Sequence, residues 1–168
     1  QEQGRLNEAE ASYRKAIALK PDLAMVHNNL GNTLKELGRL NEAEASYGQA
    51  IALKPDFAEA HYNLGNTLKE LERLDEAEIS YGQAIELKPD YAEAHNNLGA
   101  TLKEMGRLEE AMSTITKAIE LNPHLPEYRE NLVELLTSYA PQEEVSHPIV
   151  KVNQEIKKIY LNDKTSGI

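Results

Sequence analysis

The chain has no cysteine, no tryptophan and a single phenylalanine. Without cysteine there can be no disulfide framework, no thiolate metal site and no cysteine nucleophile, and the redox compartment is left open. No stretch approaches the roughly 18 consecutive apolar residues of a membrane helix, and no charged-then-apolar leader opens the chain. The default expectation is therefore a soluble, cytoplasmic protein with no membrane partner. Basic residues are also scarce: 18 Lys and Arg face 28 Asp and Glu, for a formal net charge of −10. Residues 1–139 carry all of that charge, because the last 29 residues hold four Lys and four Asp or Glu. Phosphate recognition rests on clustered Lys and Arg, so nucleic acid is not an expected partner.

Catalytic signatures are missing as well. There is no glycine-rich phosphate loop, no G-x-S-x-G elbow and no H-E-x-x-H. The many Glu residues read as helix caps and solvated faces, and paired carboxylates are easy to find in so acidic a chain. No catalytic, metal or cofactor residue is assigned, and no cofactor or enzymatic activity is expected.

What the chain does have is a period. Pro21, Pro55, Pro89 and Pro123 are 34 residues apart, as are Ala9, Ala43, Ala77 and Ala111, and Leu6, Leu40, Leu74 and Leu108. Aligning Asn28–Asp56 with Tyr62–Asp90 leaves 24 of 29 positions identical, which indicates recent duplication or consensus design. With 40% hydrophobic and 27% charged residues, rich in Ala, Leu, Glu and Lys, the unit reads as helical. Asp56-Phe57-Ala58-Glu59 and Asp75-Glu76-Ala77-Glu78 look like capping boxes, so each unit holds two helix starts and forms one helical hairpin. Gly38 and Gly106 suit the left-handed residue that ends the first helix, while Glu72 stands at the same place in the middle unit. Gly31, Gly65 and Gly99 lie inside first helices, where glycine costs about 1 kcal/mol relative to Ala. Close approach of the paired helices is the expected compensation, with Ala43, Ala50, Ala77 and Ala84 on the second helices and Leu30, Leu34, Leu37 and Leu40 facing them.

These residues carry a resemblance. Counting Ala58 as the first residue of a unit, His61 stands where the tetratricopeptide pattern has Trp. Leu64, Gly65, Ala77, Tyr81 and Pro89 match the pattern, and Leu68 replaces its Tyr. The units beginning at Ala24 and Ala92 follow suit, apart from Ile115 in place of the later aromatic. The chain thus resembles the tetratricopeptide repeat family over about residues 1–139, which implies an all-α fold, a right-handed α-solenoid. In this register residues 5–20 are a lone second helix, and full repeats run 24–57, 58–91 and 92–125. A terminal first-type helix covers 126–139, where Val133 and Leu135 replace the Gly and Thr of earlier units. Residues 140–148 read as a linker, 149–162 as an amphipathic helix that caps the stack or opens a new domain, and 163–168 as a tail. Because the chain starts at Gln1 in the middle of a unit, it reads as an excised fragment.

His27, His61 and His95 recur in register, but equivalent residues of packed helices lie about 8–10 Å apart, too far to share a metal whose ligands sit about 2 Å away. They read as packing residues. The informative series is Asn29, Asn63, Asn97 and Asn131, the sixth residue of every unit. Asn has no strong helix propensity and no capping role in mid-helix. Its face also holds Glu59 and Glu93, then Asn32 and Asn66, with Lys35, Lys69 and Lys103 at the edge. The resemblance implies that this face lines a concave groove.

An Asn offers both donor and acceptor, which suits it to grip a backbone amide regardless of side chain. The series is similar to the Asn-lined groove of O-linked N-acetylglucosamine transferase repeats, so the expected partner is an extended protein or peptide segment. The other readings are that duplication merely copied one Asn, or that the amide bonds a neighbouring helix. Chaperone-tail adaptors of the family clamp a terminal carboxylate with Lys and Arg, whereas the equivalent positions here are Asn28, Tyr62 and Asn96. No carboxylate clamp is expected, and Ala100 and Glu134 interrupt the second Asn series. Two alternative functions stand beside this one. The repeats could be the substrate-recruiting arm of a larger enzyme such as a glycosyltransferase, or a self-assembly module joined through an uncovered stack end, which would make a homo-oligomer.

Overall fold

The computed structural model describes the backbone of residues 2–139 and the side chains of 3–137. The expected linker 140–148, amphipathic helix 149–162 and tail 163–168 lie outside the described residues. Within them all regular structure is helical: α1 (Glu2–Leu19), α2 (Ala24–Glu36), α3 (Leu40–Leu53), α4 (Ala58–Glu70), α5 (Leu74–Leu87), α6 (Ala92–Glu104), α7 (Leu108–Leu121) and α8 (Pro126–Tyr139). Each helix packs on the next, most extensively within the hairpins α2–α3, α4–α5 and α6–α7. First helices of successive units also touch, α2 with α4, α4 with α6 and α6 with α8. The chain is an α-solenoid whose first helices lie together on one side, the inner side of the stack.

Two local devices make the hairpin. Leu68 of α4 is buried against α5, whose Ala77, Tyr81 and Ala84 are fully buried. Gly65 admits the ring, because a Cβ there would lie 2.7 Å from Tyr81 Cδ1. Gly31 stands in the same relation to Tyr47 at 2.6 Å and Gly99 to Ile115 at 2.4 Å. The helical glycine is thus exchanged for a large side chain set directly on the neighbouring backbone, a tyrosine ring in two units and Ile115 in the third, and the small Ala residues complete that approach. The second device ends the first helix. Arg73 N–H donates to Leu68 O and Glu72 N–H to Lys69 O, both at 2.9 Å, a Schellman ending with Glu72 in the left-handed region at φ 60. Gly38 (φ 75) and Gly106 (φ 79) take that place in the flanking units.

The helix starts differ from the capping boxes read in the sequence. The residues before α4 and α5 are Phe57 and Arg73, and neither caps through its side chain. Burial decides the first case: Phe57 is needed in a cluster with Ala50 and Ala60, with Ala24 and Ile51 packed alongside, so an apolar residue holds the cap position. At the second, Asp75 and Glu76 fall inside the first turn of α5, where negative charge favours the helix N-terminus.

Arg73 joins neighbouring units. Its Nε and Nη2 donate to Glu76 at 2.7 and 2.6 Å, and its Nη1 donates to Glu44 of the preceding second helix at 2.7 Å. Arg39 bridges Glu42 and Glu10 in the same way, and Arg107 bridges Glu110 and Glu78. At the end of the array Leu132, Leu135 and Leu136 are buried with Leu102, Ala111 and Ile115.

Candidate binding groove

The inner face is built from the fifth, sixth, ninth and twelfth residues of each first helix. These project together because about 3.6 residues complete a turn. Asn29, Asn63, Asn97 and Asn131 are all half-buried on it. Their amides reach across the unit boundary. Asn63 Nδ2 donates to Asn28 Oδ1 at 3.1 Å, and Asn131 Nδ2 donates to Asn96 Oδ1 at 2.9 Å. Asn97 Nδ2 spends both hydrogens, on Asn66 Oδ1 at 2.8 Å and on the Tyr62 hydroxyl at 3.1 Å. Asn96 Nδ2 donates back to Asn97 Oδ1 at 3.2 Å. The neighbour-helix bond, one of the readings open in the sequence, is therefore present in three of the four rungs. Asn28 and Asn96 are 6% and 2% exposed, so these two of the three clamp-equivalent positions face inward as acceptors.

Asn32 and Asn66 serve the hairpin itself. Each accepts a hydrogen bond at 2.8 Å from the second-helix tyrosine of its own unit, Tyr47 and Tyr81 respectively. Where the tyrosine becomes Ile115 the asparagine becomes Ala100, so donor and acceptor disappear together. That joint replacement was a signal available in the sequence that reading each position separately misses.

The lysines expected at the edge are paired. Lys35, Lys69 and Lys103 lie 2.8, 3.0 and 2.7 Å from Glu70, Glu104 and Glu134 of the following unit. Between them a concavity of about 470 Å³ is lined by Lys35, Asn66, Lys69, Glu70, Tyr81 and Asn97. Burial raises the Tyr47 and Tyr81 phenols above their ordinary range, so both remain neutral hydrogen donors. Glu59 and Glu93 are exposed in the first turns of α4 and α6. Tyr62 is half-buried, with its ring centroid 4.9 Å from that of Tyr91.

The histidines have a structural task. Nε2 of His27, His61 and His95 donates to the carbonyl of Pro21, Pro55 and Pro89 at 2.9, 3.1 and 3.0 Å, fixing the loop before each unit. Arg129 does the same for Pro123 at 2.8 Å in the last unit. Among the described residues no cluster of His, Asp and Glu could hold a metal, and no helix is long and apolar enough to cross a membrane.

Stacked helical hairpins with a polar inner face define a repeat scaffold of the helical-solenoid class. The chain belongs to the tetratricopeptide repeat family: the TPR-repeat profile matches residues 2–38, 31–72 and 65–106, and a second tetratricopeptide profile matches 92–125. No curated protein matches the chain. Among solved structures it is similar to MamA at 23% identity, with a TM-score of 0.78 over 95% of this chain and 92% of that one. Residues 41 to the end of MamA from Desulfovibrio magneticus RS-1 align at 18% identity, with a TM-score of 0.81 over 99% and 90%. The first TPR of Spaghetti (RPAP3), bound to the HSP90 peptide SRMEEVD, aligns at 24% identity, with a TM-score of 0.69 over 70% and 94%. At these identities the likeness concerns the fold.

Proposed function

We propose that the chain is a protein-interaction module, without catalytic residues of its own, that holds an extended polypeptide segment along its inner face. The observation that carries this reading is the arrangement of the amides. Inter-unit bonds hold Asn63 and Asn131 by one Nδ2 hydrogen each, and among the described residues no donor occupies their Oδ1. A pre-oriented amide with acceptor and donor unspent can bond a peptide group without losing further side-chain freedom. Asn97 has less to give, since both hydrogens and one lone pair are used. The pre-oriented gripping positions are therefore Asn63 and Asn131, continued by Asn29, which no inter-unit bond holds among the described residues, with Asn97 as their brace. Asn32, Asn66 and the paired Lys35, Lys69 and Lys103 shape the floor and far edge.

The similarity of the series to O-linked N-acetylglucosamine transferase repeats supports the same sequence-tolerant grip. A peptide partner is supported by the similar first TPR of Spaghetti (RPAP3), which is bound to an HSP90 peptide. Each hydrogen bond contributes about 0.5–1.5 kcal/mol net, so affinity accumulates over several units. The test is a peptide selected from a random library on the wild-type protein, titrated against Asn29→Ala/Asn63→Ala. Binding should weaken about tenfold or more while helical circular dichroism is retained, consistent with two or more lost bonds. Undiminished affinity in the folded double variant would sink the reading.

A further inference from the structure

The two edges of the inner face differ in charge. At the C-terminal ends of the first helices every lysine is neutralised by the next unit, as Lys35–Glu70, Lys69–Glu104 and Lys103–Glu134. At the N-terminal ends stand Glu59, Glu93 and Glu127, in the first turns of α4, α6 and α8. All three are exposed. Among the described residues the ion pairs include none of them.

Aromatic surface accompanies these carboxylates. The Tyr62 ring lies 4.9 Å from Tyr91 and 6.1 Å from Tyr81. The Tyr91 phenol is raised by burial and then by Tyr62, Glu59 and Glu93, so both carboxylates act on this one ring. Lysine ammoniums already use ring faces at this level of the array: Lys88 Nζ is 4.5 Å from the Tyr91 centroid, and Lys54 Nζ is 4.9 Å from that of Phe57.

A separate observation comes from Tyr128. It occupies the position of Ala60 and Ala94 in earlier units, is 2% exposed, and its buried hydroxyl has no hydrogen-bond partner. Its phenol is pushed up to about 12 by burial, then by Glu93, Tyr62 and Glu127, which puts the hydroxyl under the influence of the same edge. A buried hydroxyl without a partner costs free energy, and its oxygen is an acceptor left unused near two carboxylates, Glu93 and Glu127, and the Tyr62 phenol. Carboxylates and a spare acceptor share one complement, a cationic nitrogen on a long side chain.

We infer that this edge receives lysine or arginine side chains of the bound segment, so that the groove selects basic extended peptides. The inference rests on the groove reading above. Spacing supports it: Glu59, Glu93 and Glu127 recur at 34 residues in the units beginning at 58, 92 and 126, while the unit beginning at 24 has Met25, so an extended segment crossing the last three units meets a carboxylate at each. The lysines of the opposite edge, already paired, leave no free positive charge there to repel it.

The test uses the whole chain and three end-blocked fluorescent peptides of equal length: Lys/Arg-containing, Ser/Thr-only and Glu-containing. The expected result is tighter binding of the basic probe than of the neutral one, by about tenfold, a difference of about 1.4 kcal/mol. Glu59→Gln/Glu93→Gln should abolish that preference. Asp75→Asn/Glu109→Gln, the same charge change on exposed residues of second helices, should keep it. Equal loss in both pairs would assign the preference to net charge and overturn the inference. A neutral probe that binds as well as the basic one, yet weakens in Asn29→Ala/Asn63→Ala, would overturn it while leaving the groove reading standing. Failure of every probe to bind would overturn both.

Discussion

The Tyr81 hydroxyl and the Asn97 amide both donate to one oxygen, Asn66 Oδ1, each at 2.8 Å. One side chain thereby ties a hairpin to its own second helix and to the next unit. Removing the donor and removing the acceptor then have unequal consequences. Tyr81→Phe loses one bond but leaves Asn66 Oδ1 satisfied by Asn97, and should cost about 0.5–1.5 kcal/mol. Asn66→Ala leaves the hydroxyl of a fully buried Tyr81 without its acceptor and should cost more, about 1–3 kcal/mol. Urea unfolding of the two variants checks the order. Equal costs would mean that the Asn97 bond does not support Asn66.

The helical glycines divide into two kinds. A Cβ at Gly65 would meet Tyr81 Cδ1 at 2.7 Å, whereas at Gly48 in α3 nothing lies within 4 Å. Gly48→Ala should therefore stabilise by up to about 1 kcal/mol, the helix-propensity difference. Gly65→Ala gains the same propensity but must displace a fully buried ring, an overpacking cost of about 1–3 kcal/mol, and should be neutral to destabilising. Thermal melts of the two single variants should move in opposite directions or differ clearly in size.

The hairpins were readable because burial repeats with the period: Ala43, Ala77 and Ala111 are all fully buried, and so are Tyr47, Tyr81 and Ile115. A sequence also shows which residues share a helix face, which placed Asn29, Asn63, Asn97 and Asn131 together. It does not show which of them meet across a unit boundary, because Asn97 reaches both Tyr62 and Asn66 in α4, the first helix of the preceding unit, and only the stacking geometry brings both within range. The helix starts were misread because Asp56 and Asp75 carry the right side chain at the wrong place. Packing of Phe57 and the forked Arg73 decide where α4 and α5 begin. The inter-unit arginines left a trace that went unused. Arg5, Arg39, Arg73 and Arg107 follow the period, as do Glu10, Glu44 and Glu78. Their acceptor becomes Met112 in the one unit where the following position, 141, is Pro and not Arg.

Glu72 is the one non-glycine residue with positive φ among those described, at 60. An L-residue with a Cβ is disfavoured there by roughly 1–2 kcal/mol, while glycine in an unfolded chain has more freedom to lose. Glu72→Gly should therefore stabilise by about 0.5–1 kcal/mol net, and Gly38→Ala should destabilise by a similar amount. Chemical denaturation of both variants measures this directly. A destabilised Glu72→Gly would mean that the carboxylate makes a compensating interaction.

The arginine forks predict a pH dependence. Hydrogen bonds from Arg39, Arg73 and Arg107 hold the carboxyls of Glu42, Glu76 and Glu110 below their ordinary value of 4.5. A carboxyl whose folded-state pKa is depressed contributes stability that is complete above its unfolded value and disappears as pH falls through the folded one. The contribution should thus be present from neutral pH down to about 4.5, then fade below it. All three glutamates are exposed, so solvent and salt screen each pair and its share is small. The measurable quantity is the difference in thermal midpoint between wild type and Arg73→Gln/Arg107→Gln. It should be constant at higher pH, shrink below 4.5, and diminish when salt is added at neutral pH. The bonds to Glu44 and Glu78 join one unit to the next, so the same variant should also broaden the melt as neighbouring repeats uncouple. A difference that persists unchanged in acid would show that the arginines act through their packed stems and not through these carboxylates.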